Sequence, residues 1–180
     1  MSNFFSAGVL KNGDLRWHPL LDSHSDIVSY FGLPDNDAYI HHFAKCELTP
    51  ADDDWLDASK WRFRLNEDVT PTWWSEDVAA RAESNMRAVA AKMIKTSGTI
   101  GLLLDECIIV GGDAVVCEMR GGRIVRMVGG TLTWMVGGTL TTMDGGTLAG
   151  MVGGPLAARS GGREGGTVAG RIAAVAGGLK

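Results

Sequence analysis

The chain reads as an α+β N-terminal domain followed by an all-β octapeptide-repeat solenoid, and three features predict this. Glycine pairs recur every eight residues, beginning at positions 121, 129, 137, 145, 153 and 161. Methionines stand at 119, 127, 135, 143 and 151 on the same interval. Composition also changes near residue 98: only three of the 25 glycines (Gly8, Gly13 and Gly32) precede it, and five of the six tryptophans lie in the first 74 residues. The expected organisation is a Trp-rich domain at 1–97, repeats at 98–160 and an irregular Gly-rich cap or tail at 161–180.

Charge divides with composition. Residues 1–100 hold 15 acids against 10 Lys/Arg and residues 101–180 hold 6 against 7, so the net charge of -4 separates into -5 and +1. Neither half offers the basic surface that holds a nucleic-acid backbone by counterion release. Cys46, Cys107 and Cys117 form no CxxC pair and read as reduced thiols in a cytoplasmic protein, with Cys107 and Cys117 expected to be buried in apolar strands. The opening MSNFFSAGVLKNG lacks the basic and then apolar order of a signal peptide, and runs such as IGLLL at 100–104 are too short to span a bilayer.

Within the first domain, FFSAGVLKNGDLRWH predicts a hairpin, because Asn12-Gly13 tolerates the positive φ of a tight turn. Ser23 through Asp26 is a capping box and Gly32 a stop signal, which sets a short helix over about 24–31. AYIHHFAKCEL at 38–48 and KWRFRL at 60–65 read as strands, the second with Trp61, Phe63 and Leu65 on one face and Arg62 and Arg64 on the other. After Pro71 comes a longer helix over about 76–95. Val78, Ala82, Met86, Val89 and Met93 form its apolar stripe, Lys92 and Lys95 sit at its negative end, and Gly98 follows as a stop.

Written out, the repeats are GGRIVRMV, GGTLTWMV, GGTLTTMD, GGTLAGMV and GGPLAARS. A glycine pair every eight residues rules out a helix, since each glycine costs about 1 kcal/mol against alanine in a helix interior. In a solenoid, equivalent residues stack, so the Leu/Ile and Met columns become internal ladders and the glycine pairs become corners. Asp144 and Ser160 share a slot with Val128, Val136 and Val152, which marks that slot as not strictly buried and leaves Leu and Met as the inward residues, with the threonines facing out. An antiparallel meander is the alternative, because Gly-Gly is also a hairpin turn signal; stacking like on like favours the solenoid. After Gly161 the spacing is read as broken. At the other end, the 76–95 helix is placed to cover the first coil's open edge.

The string GGTLTWMVGGTLTTMDGGTLAG resembles the octapeptide repeats of bacterial ice nucleation proteins, whose units carry a Gly-Ser-Thr-Leu-Thr core. Gly130, Thr131, Leu132 and Thr133, and again Gly138, Thr139, Leu140 and Thr141, match it apart from the serine position, over about residues 121–158. The resemblance implies sixteen-residue coils of two octapeptides, with Met119, Met135 and Met151 on one side and Met127 and Met143 on the other. The overall arrangement also resembles uncharacterised repeat proteins of bacteriophages and prophages.

Chemical signatures are sparse. Asp22, Ser23, His24, Ser25 and Asp26 alternate acid and imidazole, but the capping box accounts for them. His41, His42 and Cys46 offer at most two convergent ligands, and Asp52, Asp53 and Asp54 lack the spaced ligands of a calcium loop. No catalytic, metal or cofactor site is expected, and His18, His24, His41 and His42 are the histidines to substitute if there is an unrecognised enzyme activity. The candidate interaction surface comprises Trp134, the only tryptophan of the repeats, Arg120, Arg123 and Arg126 as a basic patch, and Thr131, Thr133, Thr139 and Thr141. These features suggest a non-enzymatic protein that binds another protein, as a phage-encoded modulator or inhibitor of a host protein. The alternatives are self-assembly into homo-oligomers through the solenoid ends, and ice binding by rows of threonine.

Overall fold

The computed structural model describes residues 5–34, 42–165 and 171–172. The chain divides into two compact units, Met1–Lys92 and Met93–Lys180.

The first unit is an antiparallel sheet with two helices. Its strands are β1 (Phe5–Leu10), β2 (Leu15–Arg16), β3 (Phe43–Thr49) and β4 (Arg62–Leu65), in the order β2-β1-β3-β4. The expected hairpin forms: Gly13 adopts φ +84°, and Val9 pairs with Leu15. Helix α1 (His24–Phe31) starts where Ser23 Oγ accepts the Asp26 N–H and stops at Gly32, which is left-handed with φ +59°. Residues 35–41, including His41, lie outside the described residues, and the strand expected over 38–48 is seen as β3. The strand expected over 60–65 starts later: Ala58–Lys60 form a 3-10 turn capped by Asp57, and β4 follows.

Helix α2 (Glu76–Met93) buries Val78, Ala82, Met86, Ala90 and Met93, with Val89 only half-buried. Its Arg87 guanidinium donates to the carbonyls of Ala58, Ser59 (3.0 Å) and Trp61 (2.7 Å) and pairs with Glu83 (2.6 Å). A planar five-donor group satisfies several carbonyls of an irregular loop at once. The same loop is anchored by Trp61, which is 1% exposed and donates Nε1–H to Asp54 O at 3.0 Å.

The helix does not run to Lys95. Ile94–Lys95 is strand β5, pairing with β7 (Cys107–Val110) as Ile94 to Ile109 and Lys95 to Val110. The Lys and Gly signals that end helices are present, but strand pairing of Ile94 and Lys95 stops this one earlier. Gly98, with φ +81°, instead serves the first coil, where the Val115 N–H donates to its carbonyl at 2.9 Å.

The second unit is a β-solenoid of about four turns. Beyond β5 it comprises β6 (Thr99–Leu103), β7, β8 (Val115–Met119), β9 (Arg123–Met127), β10 (Thr131–Met135), β11 (Thr139–Met143), β12 (Thr147–Met151), β13 (Pro155–Arg159), β14 (Arg163–Glu164) and β15 (Arg171–Ile172). Even-numbered strands form one parallel sheet, β14-β12-β10-β8-β6, and odd-numbered strands the other, β15-β13-β11-β9-β7-β5. Neighbours within a sheet are two octads apart: Leu132 pairs with Val116 and Leu148, and Met135 with Met119 and Met151. The meander is therefore excluded, and one coil is sixteen residues.

Like stacks on like inside. Met119, Met135 and Met151 line one wall, Met127 and Met143 the other, beside Val116, Ile124, Leu132, Leu140, Leu148 and Leu156, all 0% exposed. Each such side chain contributes about 1.5–3 kcal/mol by leaving water. Leu132 and Met135, three positions apart, both reach this core, which a straight strand does not permit, so the chain rolls around the core between them.

The corners show why glycine comes in pairs. At the first position, a Cβ on Gly137 would lie 2.4 Å from the Arg120 carbonyl oxygen of the coil before. At the second, Gly138 has φ +74°, and a Cβ there would lie 2.5 Å from both Gly121 O and the Met119 methyl. The backbones of successive coils meet at the corners, and the methionine tip fills the space that the absent side chain leaves.

The spacing does not break after Gly161. Arg163 pairs with Thr147, Glu164 with Leu148, Arg171 with Pro155 and Ile172 with Leu156, so the sixteen-residue register carries through although the sequence loses its Thr-Leu core. Cys107 is buried as expected, whereas Cys117 is half-exposed on β8.

Candidate interaction surface

The sixteen-residue coil sorts each variable slot of the octad onto two different sides. On the even-numbered sheet, the slot before each inward Met or Leu holds Leu102, Glu118, Trp134 and Gly150, paired in that order. The slot after it holds Leu104, Arg120, Val136 and Val152. Leu102, Leu104, Trp134, Val136 and Val152 are 43 to 54% exposed, and they are all of the exposed large hydrophobics found among the described solenoid residues. Strands of successive coils lie about 4.8 Å apart, so Trp134, Val136 and Val152 stand on adjacent coils as an apolar ridge, while Leu102 and Leu104 lie on the far side of the coil that carries the Glu118–Arg120 ion pair.

Trp134 is central to the ridge. Its indole lies over Gly150, where a Cβ would come within 2.5 Å of the ring. The glycine makes room for the ring to lie on the next coil, which leaves Gly150 buried and Trp134 49% exposed. An aromatic ring held in place on one side and open on the other is a preordered contact group.

The odd-numbered sheet carries a polar ladder in the equivalent slots. Arg126, Thr142 and Ala158 pair along one column, and the Arg126 guanidinium forms an ion pair with Asp144, which also accepts from the Ser160 hydroxyl. The three arginines thus do not gather into one unbalanced patch. Arg123 and Arg126 lie on β9, Arg126 faces Asp144, and Arg120 at the next corner pairs with Glu118.

The threonines separate as well. Thr131 and Thr133 lie on β10 and Thr139 and Thr141 on β11, in opposite sheets, and all four are half-buried. Thr131 stacks between Val115 and Thr147, while Thr133 stands between Cys117 and Ala149 at equivalent positions of β8 and β12. No second Thr-x-Thr row therefore lies beside either one.

Sequence reading found Trp134 but not Leu102, Leu104, Val136, Val152 or the role of Gly150. The signal was present: aligned at sixteen rather than eight, the last slot reads Leu, Arg, Val, Val on one side and Val, Asp, Ser on the other.

In the first unit a polar cluster joins α1 to the sheet. His24 Nε2 lies 3.1 Å from the Cys46 carbonyl and Nδ1 lies 3.4 Å from Asn66 Nδ2. Asn66 Nδ2 and Arg64 donate to the buried Glu47 carboxylate, each at 3.2 Å. Since a carbonyl only accepts, the His24 nitrogen facing Cys46 O is the donor of that bond. His18 accepts the Leu20 N–H at Nδ1, and His42 is exposed. Among the described residues no group of three or more His, Cys, Asp or Glu side chains is arranged to hold a metal ion. Burial, with Glu67 and Glu47 nearby, pushes the Cys46 thiol up to about 12, which makes it a poor nucleophile.

Fold and surface together define a β-solenoid unit carried by a chain with a small α+β unit. No family model, curated protein or solved structure matches the chain. Among the described residues no helix is long and apolar enough to cross a membrane.

Proposed function

We propose that this chain is a non-enzymatic binding protein whose solenoid docks another protein along the apolar ridge of Trp134, Val136 and Val152, acting as a modulator or inhibitor of that partner. The observation that carries this reading is the asymmetry of the solenoid: among the described residues one side collects its exposed large hydrophobics, interrupted by the Glu118–Arg120 pair, and the other holds the Arg126, Asp144 and Ser160 ladder. Repeat coils stacked on a methionine and leucine core give a stiff surface, so little ordering entropy opposes association. The resemblance to phage repeat proteins makes a host protein the partner to look for. Local pairing of Arg120 and Arg126 with carboxylates weighs against a nucleic-acid backbone as the ligand, and the interrupted threonine rows weigh against ice.

The test compares three immobilised full-length proteins in host lysate: wild type, V136D/V152D on the ridge, and Thr142→Asp on the polar side. A protein retained by wild type and T142D, and lost from V136D/V152D, is the expected result. Equal recovery by all three, or no partner for wild type, would sink the proposal.

A further inference from the structure

Strand β6 lies at the outer edge of the even-numbered sheet, and among the described residues no strand pairs with its far side. Edge strands are usually blunted by shortness, charge, proline or a bulge, because their outward N–H and C=O groups otherwise recruit another strand. The edge strand of the other sheet follows this rule, since β5 is two residues long and ends on Lys95. Strand β6 does not. It runs for five residues, Thr-Ile-Gly-Leu-Leu, with no charge and no proline. Its inward Ile100 is only partly buried, whereas Val116, Leu132 and Leu148 of the same column are 0% exposed. Leu102 and, just past the strand, Leu104 are 48% and 54% exposed.

A second copy of the chain could meet this edge in parallel or antiparallel fashion, and the corners separate the two. A coil added in parallel, in the solenoid's own register, needs glycine at the corner that faces it: a Cβ on Gly121 would lie 2.1 Å from Leu104 O of the coil before, and one on Gly122 2.5 Å from Glu106 O. At the equivalent corner the first coil carries Asp105 and Glu106, whose Cβ atoms would strike a parallel coil laid upstream. Antiparallel pairing about a two-fold axis imposes no such corner contact. It sets the leucine half of each strand, with Leu102 and Leu104, against the glycine half of the other, where a Cβ on Gly98 or Gly101 has nothing within 4 Å. It also brings Asp105 and Glu106 of each copy toward the corner that follows the other's Lys95, so opposite charges approach at both ends. We infer that β6 is an interaction surface for a second copy of this chain, the two β6 strands pairing antiparallel into a closed dimer. An isologous contact of this kind uses up both edges and does not propagate into a filament. The self-assembly expected of solenoid ends is thereby narrowed to one end and two chains. It is independent of the ridge, whose Trp134, Val136 and Val152 stand on later coils.

Two short strands and four leucines bury less than the roughly 1,600 Å² of a standard interface, so the dimer belongs to high protein concentration. Sedimentation of the full chain tests it. The mean mass of wild type should climb with concentration toward two chains and level off there. L102K/L104K, altered only at exposed positions, should stay at one chain, and V136D/V152D on the ridge should dimerise as wild type does. A wild type that remains monomeric at millimolar concentration would overturn the inference; so would a dimer that survives in folded L102K/L104K, one that is lost in folded V136D/V152D, or a mass that rises past two chains. A second readout needs no variant to fold. In wild type, amide exchange within 99–103 should slow about tenfold between dilute and concentrated protein while that of β10 stays constant. Exchange within 99–103 that is insensitive to concentration would show that β6 is not the surface used.

Discussion

The two units of this protein reach order by different routes. In the solenoid, nearly every stabilising feature is a copy: a Leu or Ile and a Met inside, a glycine pair at the corner, and a hydrogen bond from each coil to the one before, such as Val136 N–H to Met119 O and Val152 N–H to Met135 O. In the N-terminal unit the decisive contacts occur once. Arg87 ties the 58–61 loop to α2, and Trp61 within that loop is buried. A repeat can therefore be read from its period, whereas a singular contact has no sequence rule that announces it. The repeat has its own weakness, since backbones that touch at every corner leave no room for a side chain there.

Gly138→Ala should show that weakness most strongly. The new Cβ would meet Gly121 O and the Met119 methyl at 2.5 Å, in a backbone with φ +74°, so we expect a loss of about 3 kcal/mol or more in denaturant unfolding. Gly101→Ala is the matched control: nothing lies within 4 Å of its Cβ, and its stability should stay within about 0.5 kcal/mol of wild type. If the two cost the same, the corners are not the tight points described.

Arg87→Ala should cost about 2 kcal/mol, because it removes the guanidinium that the Ala58, Ser59 and Trp61 carbonyls share and leaves Ala58 O only the Trp61 N–H at 3.3 Å. The loss should appear as faster amide exchange in the first unit, with solenoid amides unchanged. Uniform exchange across both units would mean that they do not differ in the way proposed.

The smallest effect is silent at neutral pH. Burial, followed by Glu67 and Glu47, raises the Cys46 thiol from 9.0 to about 12. The neutral form is thus kept in the folded state after the unfolded thiol has ionised, and stability present below about 9 is lost as pH rises toward about 12. Cys46→Ala should flatten that alkaline loss. At pH 8 a thiol reagent should label Cys117, which is half-exposed, and spare Cys46, which is 0% exposed.

Legibility followed the same division. Helix α1 was readable because its start and stop are local, with Ser23 and Asp26 at one end and Gly32 at the other. The solenoid was readable because stacking imposes a period on the sequence. The end of α2 was misread, since Lys92, Lys95 and Gly98 look like a helix terminus while strand pairing across the first coil overrides them. The last coil was missed because Glu164 occupies a leucine column and hides the register. The ridge stayed hidden because an eight-residue frame superimposes two sides that the sixteen-residue coil separates. Only Trp134 stood out there, by its rarity rather than by its surroundings.

The parallel sixteen-residue coil underlies the ridge, and the native Cys117 can report on it. Thr133 is the equivalent position one coil later on the same sheet, whereas an antiparallel hairpin about Gly121-Gly122 would set Cys117 opposite Arg126. Parallel neighbours lie within the roughly 4.4–6.8 Å Cα separation that a disulfide spans. Mild oxidation followed by peptide mass mapping should find a 117–133 disulfide in Thr133→Cys and no 117–126 disulfide in Arg126→Cys. The reverse pattern would contradict the solenoid and everything placed on it.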